Sequence, residues 1–444
     1  MVKIHDSSGM PEKQHTSEGS LLGLGLFKAK GRSILALAAG FLFAGNGMAL
    51  YAQTYTDPLP DEPLPEPEPG VITSGPFSLE PILTTELSYD DNIFESETDE
   101  TDSWITRLKP TLIGRLEADG QAYSLRYEGD YGTYEQSGDD DYDDHNFFAD
   151  ANLNLNFRNY VNLDAAYRMD HEDRGTGITE GINPVIFPAF DKPVKVDFTE
   201  FNGEYAYGVP EQTGRIVLAA GYRDRQYQNF RDQTRYQDRE RPQASATFYY
   251  RVMPATSLLF EVKADKVQYD ETRPGTASLD SDTQYYLAGA TWDVTELTSG
   301  TVKLGWVDRE YDDNTRGNFS EFDWEVDLRW SPLSYSHVDL VTSREPLEAY
   351  GNADFIDTKR YAATWTHGWT DDLESRLQVA YLDETFVGED RNEETYDYDF
   401  SLNYQWRNWL ALDLGANYSN RDSNIDALEF RRTVYRLGAT LSLN

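Results

Sequence analysis

The chain contains no cysteine, which excludes a disulfide framework, a thiolate metal site and a cysteine nucleophile. Positive charge is also scarce, with 39 Lys and Arg against 78 Asp and Glu. Nucleic-acid binding needs clustered Lys and Arg, so we expect no nucleic-acid partner. Long apolar runs are almost missing, because the one clear run, residues 33–44, has only 12 residues. A membrane-spanning helix needs about 20, so the sequence predicts none in the mature chain.

That short run has the features of an export signal. Lys28, Lys30 and Arg32 precede it, and the small residues Gly47 and Ala49 follow it. We interpret residues 1–52 as a signal peptide with an extended leader, cleaved after residue 49 or 52; a single membrane anchor is the alternative. Removal of residues 1–52 leaves 34 Lys and Arg against 75 Asp and Glu, a net charge of −41.

Residues 53–76 are predicted to be a proline-rich, acidic periplasmic linker. Six prolines separated by acidic and leucine residues lie between positions 57 and 70. Proline at this density favours an extended, semi-rigid polyproline II spacer. The linker is either an inert tail or a docking segment for a periplasmic polysaccharide-synthesis complex.

What the chain has in abundance is strict alternation of apolar and polar side chains. Between residues 322 and 330 one parity is apolar and the other charged: Phe322, Trp324, Val326, Leu328 and Trp330 against Asp323, Glu325, Asp327 and Arg329. About eighteen such segments, with an error of two, follow one another from residue 77 to residue 443. Many reach the ten or so residues that a tilted strand needs to cross a bilayer.

The connections between the segments alternate between short and long. Short turns such as Asp119-Gly120 alternate with long polar loops, including residues 171–195 and 387–394. A water-soluble β-sandwich gives no reason for this asymmetry, whereas outer-membrane barrels show it. The sequence therefore predicts an all-β transmembrane antiparallel barrel of about 18 strands over residues 77–444, with periplasmic termini, in the outer membrane of a Gram-negative bacterium. The apolar side chains within 171–195 predict that this loop folds into the barrel mouth.

An interior this wide predicts a water-filled or loop-plugged lumen. The predicted lumen-lining cations are Arg107, Lys109, Arg115, Arg126, Arg168, Arg215, Arg251 and Arg329. They either solvate and brace a wet interior together with lumen carboxylates, or they line a path for an anionic solute. A denser set, interleaved with tyrosines, is a candidate binding site for an anionic polymer: Arg223, Arg225, Arg231, Arg235, Arg239 and Arg241.

Catalytic and metal-binding patterns are weak. The four histidines of the mature chain are scattered, and neither Gly-x-Ser-x-Gly nor His-Glu-x-x-His occurs. The acidic run 139–144 offers oxygen ligands for calcium but lacks the glycine and distal glutamate of an EF-hand, so we expect a solvated loop. We expect no catalytic residue, no metal and no cofactor, and hence no enzyme.

Two stretches near the start of the barrel carry a family resemblance: Leu87-Ser88-Tyr89-Asp90-Asp91-Asn92-Ile93-Phe94 and Leu108-Lys109-Pro110-Thr111-Leu112. They resemble a family of outer-membrane β-barrel porins often encoded with exopolysaccharide biosynthesis genes. The resemblance implies an outer-membrane protein that helps to export a surface polysaccharide, and it implies no ligand residues. The last strand resembles the C-terminal signal read by the barrel-assembly machinery, with the pattern Arg436, Gly438, Leu441 and Leu443.

These observations predict a channel for exopolysaccharide export whose partners are outer-membrane lipid, lipopolysaccharide and the polysaccharide itself. A general diffusion porin or oligosaccharide uptake channel is one alternative. A surface interaction protein with a plugged barrel is the other.

Overall fold

The computed structural model describes residues 72–181, 190–209, 212–295, 297–350 and 353–442. Almost all of them lie in antiparallel strands or in the connections between strands. The strands are β1 (Ile72–Ser74), β2 (Phe77–Asp90), β3 (Ser103–Ala118), β4 (Gln121–Tyr134), β5 (Tyr142–Asn156), β6 (Asn159–Glu172), β7 (Val194–Tyr207), β8 (Gly214–Tyr227), β9 (Arg239–Met253), β10 (Thr256–Tyr269), β11 (Ser281–Thr295), β12 (Thr298–Tyr311), β13 (Phe319–Leu333), β14 (Ser336–Leu347), β15 (Phe355–Thr370), β16 (Leu373–Val387), β17 (Arg391–Arg407), β18 (Leu410–Ser423) and β19 (Phe430–Ser442).

Helical structure among the described residues is limited to single turns. A four-residue α-helix, α1 (Arg231–Thr234), lies in the β8–β9 loop, and 3₁₀ turns cover Gly138–Asp140, Gly177–Thr179, Arg235–Gln237 and Asp426–Leu428. Within the described ranges, no helix is both long and apolar enough to cross a membrane.

Strands β2 to β19 form a closed barrel of eighteen strands, as the sequence predicted. Each strand pairs with its neighbours in the chain, and β19 pairs with β2 in a register that sets Leu437 opposite Leu87. Closure satisfies the backbone donors and acceptors of every barrel strand, which a lipid environment requires because it offers no water. The short strand β1 pairs with the start of β2, so the last residues assigned to the linker are partly strand.

The alternation seen in the sequence determines which side chains face lipid. On β3, Trp104, Leu108, Leu112 and Leu116 are all exposed on the outer face. Residues of the other parity, such as Arg107 and Arg115, face the interior. Trp330, Trp369, Trp406 and Trp409 lie exposed at the end of the short turns, and Trp104, Phe147 and Phe322 lie exposed towards the other end. This is the arrangement of aromatic girdles at two membrane interfaces.

The short turns share one end of the barrel, which is therefore the periplasmic end. The predicted Asp119-Gly120 hairpin is present, with φ values of 53° and 74° that suit a two-residue turn of primed type. At the external end one prediction is wrong. Residues 387–394 do not form a long loop, because β16 runs to Val387 and β17 begins at Arg391. The strand ladder continues beyond the apolar band since backbone pairing does not need apolar side chains.

The predicted signal peptide, most of the predicted linker and residues 182–189 of the predicted mouth loop lie outside the described residues.

Candidate functional site: the lumen and the external mouth

Strands β9 and β14 approach each other across the interior of the barrel. Arg241 of β9 and Glu345 of β14 are five strands apart, yet their Nη2 and Oε1 atoms lie 3.9 Å apart. In a circular barrel of eighteen strands, spaced ~4.8 Å and tilted ~40°, these walls would be roughly 28 Å apart. An arginine and a glutamate together reach only about 12 Å. The cross-section is therefore flattened here.

The flattened part is filled by side chains. Lys303 Nζ lies 2.8 Å from Glu261 and 3.2 Å from Glu325, and Lys263 Nζ lies 3.0 Å from the same Glu325. Tyr285 and Val307 are buried beside them. Burying a charge is costly unless it is paired, and this network pairs its charges across strands β10, β12 and β13. This part of the interior is therefore occupied by protein.

The β14–β15 loop crosses the external mouth. Its residue Tyr350 lies 2.8 Å from Arg225 Nη2 on β8 and 3.2 Å from Glu172 Oε1 at the end of β6. Glu172 also accepts a hydrogen bond of 2.8 Å from Tyr227 and pairs with Arg225. At the root of the loop, Glu348 pairs with Arg309 at 2.6 Å. Because β14 and β6 are eight strands apart, this loop links opposite walls of the flattened barrel.

Residues 173–181, which we name the crossing segment, traverse the mouth in another direction. Glu180 Oε2 lies 2.6 Å from Arg391 Nη2 on β17, and Oε1 pairs with Arg421 on β18. These strands are seven and six strands from β6, where the segment begins. The sequence-based expectation that the 171–195 loop enters the mouth therefore holds for its described residues.

The first residues of the crossing segment are also held in place. At its root, the two ring nitrogens of His171 lie 2.9 Å from Asp144 and 3.0 Å from Asp173. Further along, Gly175 has a φ of 93°, and a Cβ there would overlap the carbonyl oxygen of Phe94. Glycine is required at such a backbone conformation and such a close approach. The segment thus packs against the β2–β3 loop as well as the barrel wall.

The predicted lumen-lining cations mostly lie beside carboxylates. Their nearest partners are as follows: Arg107 and Lys109 with Asp130 at 2.7 and 3.6 Å, Arg115 with Glu80 at 2.8 Å, Arg126 with Glu128 at 3.3 Å, Arg168 with Glu200 at 3.0 Å and Arg329 with Asp339 at 2.6 Å. Arg215 stacks over Tyr249, and Arg251 Nε donates to the carbonyl of Met253 at 3.3 Å. Most of their positive charge is therefore compensated locally.

The structure separates the six arginines proposed as one anionic-polymer site. Four of them lie on β8 and β9 and face inwards: Arg223, Arg225, Arg239 and Arg241. Arg223 pairs with Glu200, Arg225 with Glu172 and Arg241 with Asp265. Arg231 and Arg235 lie outside on α1 and the following turn, where they pair with Asp238 at 2.5 Å and Glu271 at 3.5 Å. Four of the six thus form one inward-facing group on two neighbouring strands, accompanied by carboxylates, and Arg231 and Arg235 lie apart from it.

Side-chain exposure differs sharply between the two ends of the lumen. Near the periplasmic end, the side chains of Arg329 and Arg126 are 53% and 41% exposed. At the mouth, those of Arg421 and Arg432 are 8% and 5% exposed. Lumen side chains are thus water-exposed on the periplasmic side and enclosed by protein at the external side.

Several lumen carboxylates have no cationic partner among the described residues. Asp150 and Asp164 are directly opposite each other on β5 and β6, and no described Lys or Arg forms an ion pair with either. Both carboxylate oxygens of Asp413 and of Asp323 are buried without a hydrogen-bond partner. Since the arginines are largely paired, the surplus charge of the lumen is negative.

The residues that tie the mouth together gave no signal in the sequence. Glu180, Tyr350, Arg391 and Arg421 are single polar residues in loops or at strand ends, and no local pattern distinguishes them. The acidic run 139–144 is used structurally: Asp140 pairs with Arg174, and Asp143 lies 2.9 Å from Lys195. Across the described ranges, no group of side chains is arranged to hold a metal ion.

A family model agrees with this architecture. The family model described as "Putative beta-barrel porin 2" matches residues 66–443. Solved structures with a similar fold include OpdK from Pseudomonas aeruginosa with vanillate, 12% identical, covering 82% of this chain and 98% of that chain at a TM-score of 0.48. OpdL from the same organism is 13% identical, with 84% and 100% coverage and a TM-score of 0.45. OccAB4 from Acinetobacter baumannii is 10% identical, with 82% and 98% coverage and a TM-score of 0.45.

A search among curated proteins finds no match. The family match spans most of the chain and coincides with the closed barrel. The chain therefore belongs to the Putative beta-barrel porin 2 family and is an outer-membrane β-barrel porin of a Gram-negative bacterium.

Proposed function

We propose that this porin is a diffusion channel for small hydrophilic solutes, constricted at its external mouth. The observation that carries the proposal is the contrast along the lumen, where charged side chains are water-exposed on the periplasmic side and tied together at the mouth. Water-exposed charge along a closed barrel supports passage of hydrated solutes. A mouth crossed by two loops limits their size.

Cations are favoured over anions in this proposal. The lumen arginines are largely neutralised by carboxylates, while Asp150, Asp164 and Asp413 form no ion pair with a Lys or Arg among the described residues. The whole chain carries a net charge of −39, so the field outside the mouth attracts cations too. This preference replaces the arginine-lined path for anions as the better-supported selectivity.

The direct test is conductance of the refolded protein in a planar bilayer, followed by the zero-current potential in a potassium chloride gradient. We expect discrete channels and a reversal potential of the sign given by potassium permeation. A reversal potential of the opposite sign would reject the cation preference but not the channel. Absence of conductance under every condition would reject the channel and favour the surface interaction protein with a plugged barrel.

Export of an exopolysaccharide is a second candidate. It is favoured by guanidinium groups stacked on tyrosines near the mouth: Arg225 lies 5.5 Å from the ring of Tyr350, and Arg235 lies 4.9 Å from that of Tyr236. Such surfaces suit sugar rings with acidic substituents. A polymer could advance only if both crossing loops moved aside. The test is the distribution of exopolysaccharide between medium and periplasm in a deletion strain and its complemented control; unchanged secretion rejects export.

A further inference from the structure

The end of the crossing segment lies in a cluster with more carboxylates than arginines. The carboxylates are Asp90, Glu95, Glu180, Glu384 and Glu393, and the arginines are Arg391, Arg421 and Arg432. The fully ionised cluster therefore keeps two uncompensated negative charges in a nearly water-free place. Uncompensated buried charge is costly, and a carboxylate relieves that cost by taking up a proton.

Glu95 is placed to take up one of the protons that would relieve this excess charge. It lies in the β2–β3 loop and is 5% exposed. Arg432 of β19 approaches it at 3.0 Å and Arg421 of β18 at 3.9 Å, and Glu180 of the crossing segment faces it with like charge. Asp90 of β2 competes for the same Arg432 at 2.5 Å. The Oε2 atom of Glu95 is buried without a hydrogen-bond partner.

Burial raises the pKa of Glu95 from 4.5 to about 7, against the opposing effect of Arg432 and Arg421, and the charge of Glu180 adds to the rise. If the crossing segment lifts away, water enters and Glu180 departs, so the pKa returns towards its ordinary value. Between about pH 4.5 and pH 7 the closed mouth therefore binds more protons than the open mouth. Closure is favoured most at acidic pH and loses that advantage as pH rises through about 7.

Glu95 and the crossing segment are mechanically connected. Phe94, its chain neighbour, packs against Gly175, and the ring of Phe94 lies 4.9 Å from the guanidinium of Arg174. Arg421 is shared between Glu95 and Glu180. A charge that appears on Glu95 therefore acts on the same arginine that holds the segment down.

We propose that residues 173–181 form a proton-sensitive gate, closed when Glu95 is protonated and released when Glu95 is ionised. This rests on the proposed function, since a gate needs a channel to close. The pKa of Glu95 differs by about 2.5 between the closed and the open mouth. This difference limits the change in the closed-to-open ratio with pH to about 300-fold.

The experiment is single-channel recording of the refolded full chain between about pH 5 and pH 8, a range that brackets the titration. We expect the open fraction of the unmodified channel to rise with pH. Glu95→Gln, which mimics the protonated side chain, is expected to stay mainly closed over the whole range. Glu97→Gln, in the same loop but exposed, serves as the matched control and is expected to titrate like the unmodified channel.

A second readout does not depend on conductance. The chain has no cysteine, so Thr176→Cys places a single thiol on the buried crossing segment. At about pH 8 we expect a methanethiosulfonate reagent to label this thiol more slowly when Glu95→Gln is also present, because the segment stays closed. Labelling both proteins at one pH removes the pH dependence of the thiol itself.

The proposal is overturned if Glu95→Gln keeps the pH response of the unmodified channel, or if that channel conducts equally at both ends of the range. Either result leaves the proposed channel intact. Glu180→Gln is expected to release the segment. If neither the unmodified protein nor this variant ever conducts, the proposed channel function is rejected instead. Heat-modifiable migration on gels shows for each variant that the barrel has folded.

Discussion

Glu180 and Arg391 are 211 residues apart in the chain, yet Oε2 of the first lies 2.6 Å from Nη2 of the second. The contact joins a loop that leaves β6 to a strand seven positions round the barrel. Both side chains are about nine-tenths buried, at 11% and 10% exposed. Together with the pairing of Glu180 with Arg421, this ion pair holds a segment of chain across the external opening of the barrel.

Removing this contact should open the mouth. Glu180→Gln leaves Arg391 and Arg421 without their shared carboxylate, and breaking a buried pair from one side costs up to about 3–5 kcal/mol. We expect a larger single-channel conductance or a higher open fraction at neutral pH. Glu135→Gln, an exposed change in another external loop, is the control. Equal conductance in Glu180→Gln and the unmodified channel would show that the segment does not limit flow.

The second loop is tested by deleting a single hydroxyl. Tyr350→Phe removes the contacts of 2.8 Å to Arg225 and 3.2 Å to Glu172 while keeping the ring. Loss of a hydrogen bond to a charged group costs about 1.5–3 kcal/mol. We expect noisier channels with frequent transitions to a wider state. Tyr335→Phe, in an exposed periplasmic turn, should record like the unmodified channel, and matching noise in both variants would contradict the prediction.

The flattened wall depends on Lys303. Lys303→Met leaves the little-exposed Glu261 without its ion-pair partner, and it leaves Glu325 paired with Lys263 alone. We expect a loss of about 3–5 kcal/mol in the free energy of unfolding, measured by urea titration in lipid vesicles. Lys266→Met breaks only contacts of 3.8 and 4.0 Å at a more exposed side chain and should cost less than about 1 kcal/mol.

Asp323 gives the opposite expectation. It is fully buried, and neither carboxylate oxygen has a hydrogen-bond partner. Asp323→Asn removes a poorly compensated charge at nearly constant volume, so we expect a gain of about 1–3 kcal/mol in the same urea titration. A clear loss of stability would mean that attraction to Lys263 outweighs the cost of burial.

Selectivity should depend on the facing pair in the lumen. Asp150→Asn combined with Asp164→Asn removes two adjacent negative charges from the inner wall. We expect the reversal potential in a salt gradient to shift towards zero, because electrostatic attraction of cations weakens. Asp197→Asn combined with Asp383→Asn removes the same charge from the outer face and should shift the potential less. Equal shifts would place the selectivity outside the lumen.

The sequence alone determined the barrel. Alternation from Phe322 to Trp330 sets one face of β13 towards lipid whatever the rest of the chain does, because side chains on a strand point to opposite sides in turn. The turn at Asp119-Gly120 is equally local, since its two residues adopt the positive φ values that the hairpin needs. Strand number, the face of each strand and the periplasmic end all follow from such short-range rules.

Only the tertiary structure decided what happens inside the barrel. The sequence placed six arginines in one basic cluster. The barrel wall turns four of them inwards and leaves Arg231 and Arg235 apart from those four. The contacts of Glu180 with Arg391 and of Tyr350 with Glu172 join residues 211 and 178 positions apart. No periodic pattern encodes such pairs, because they exist only once a closed barrel brings distant loops to the same opening.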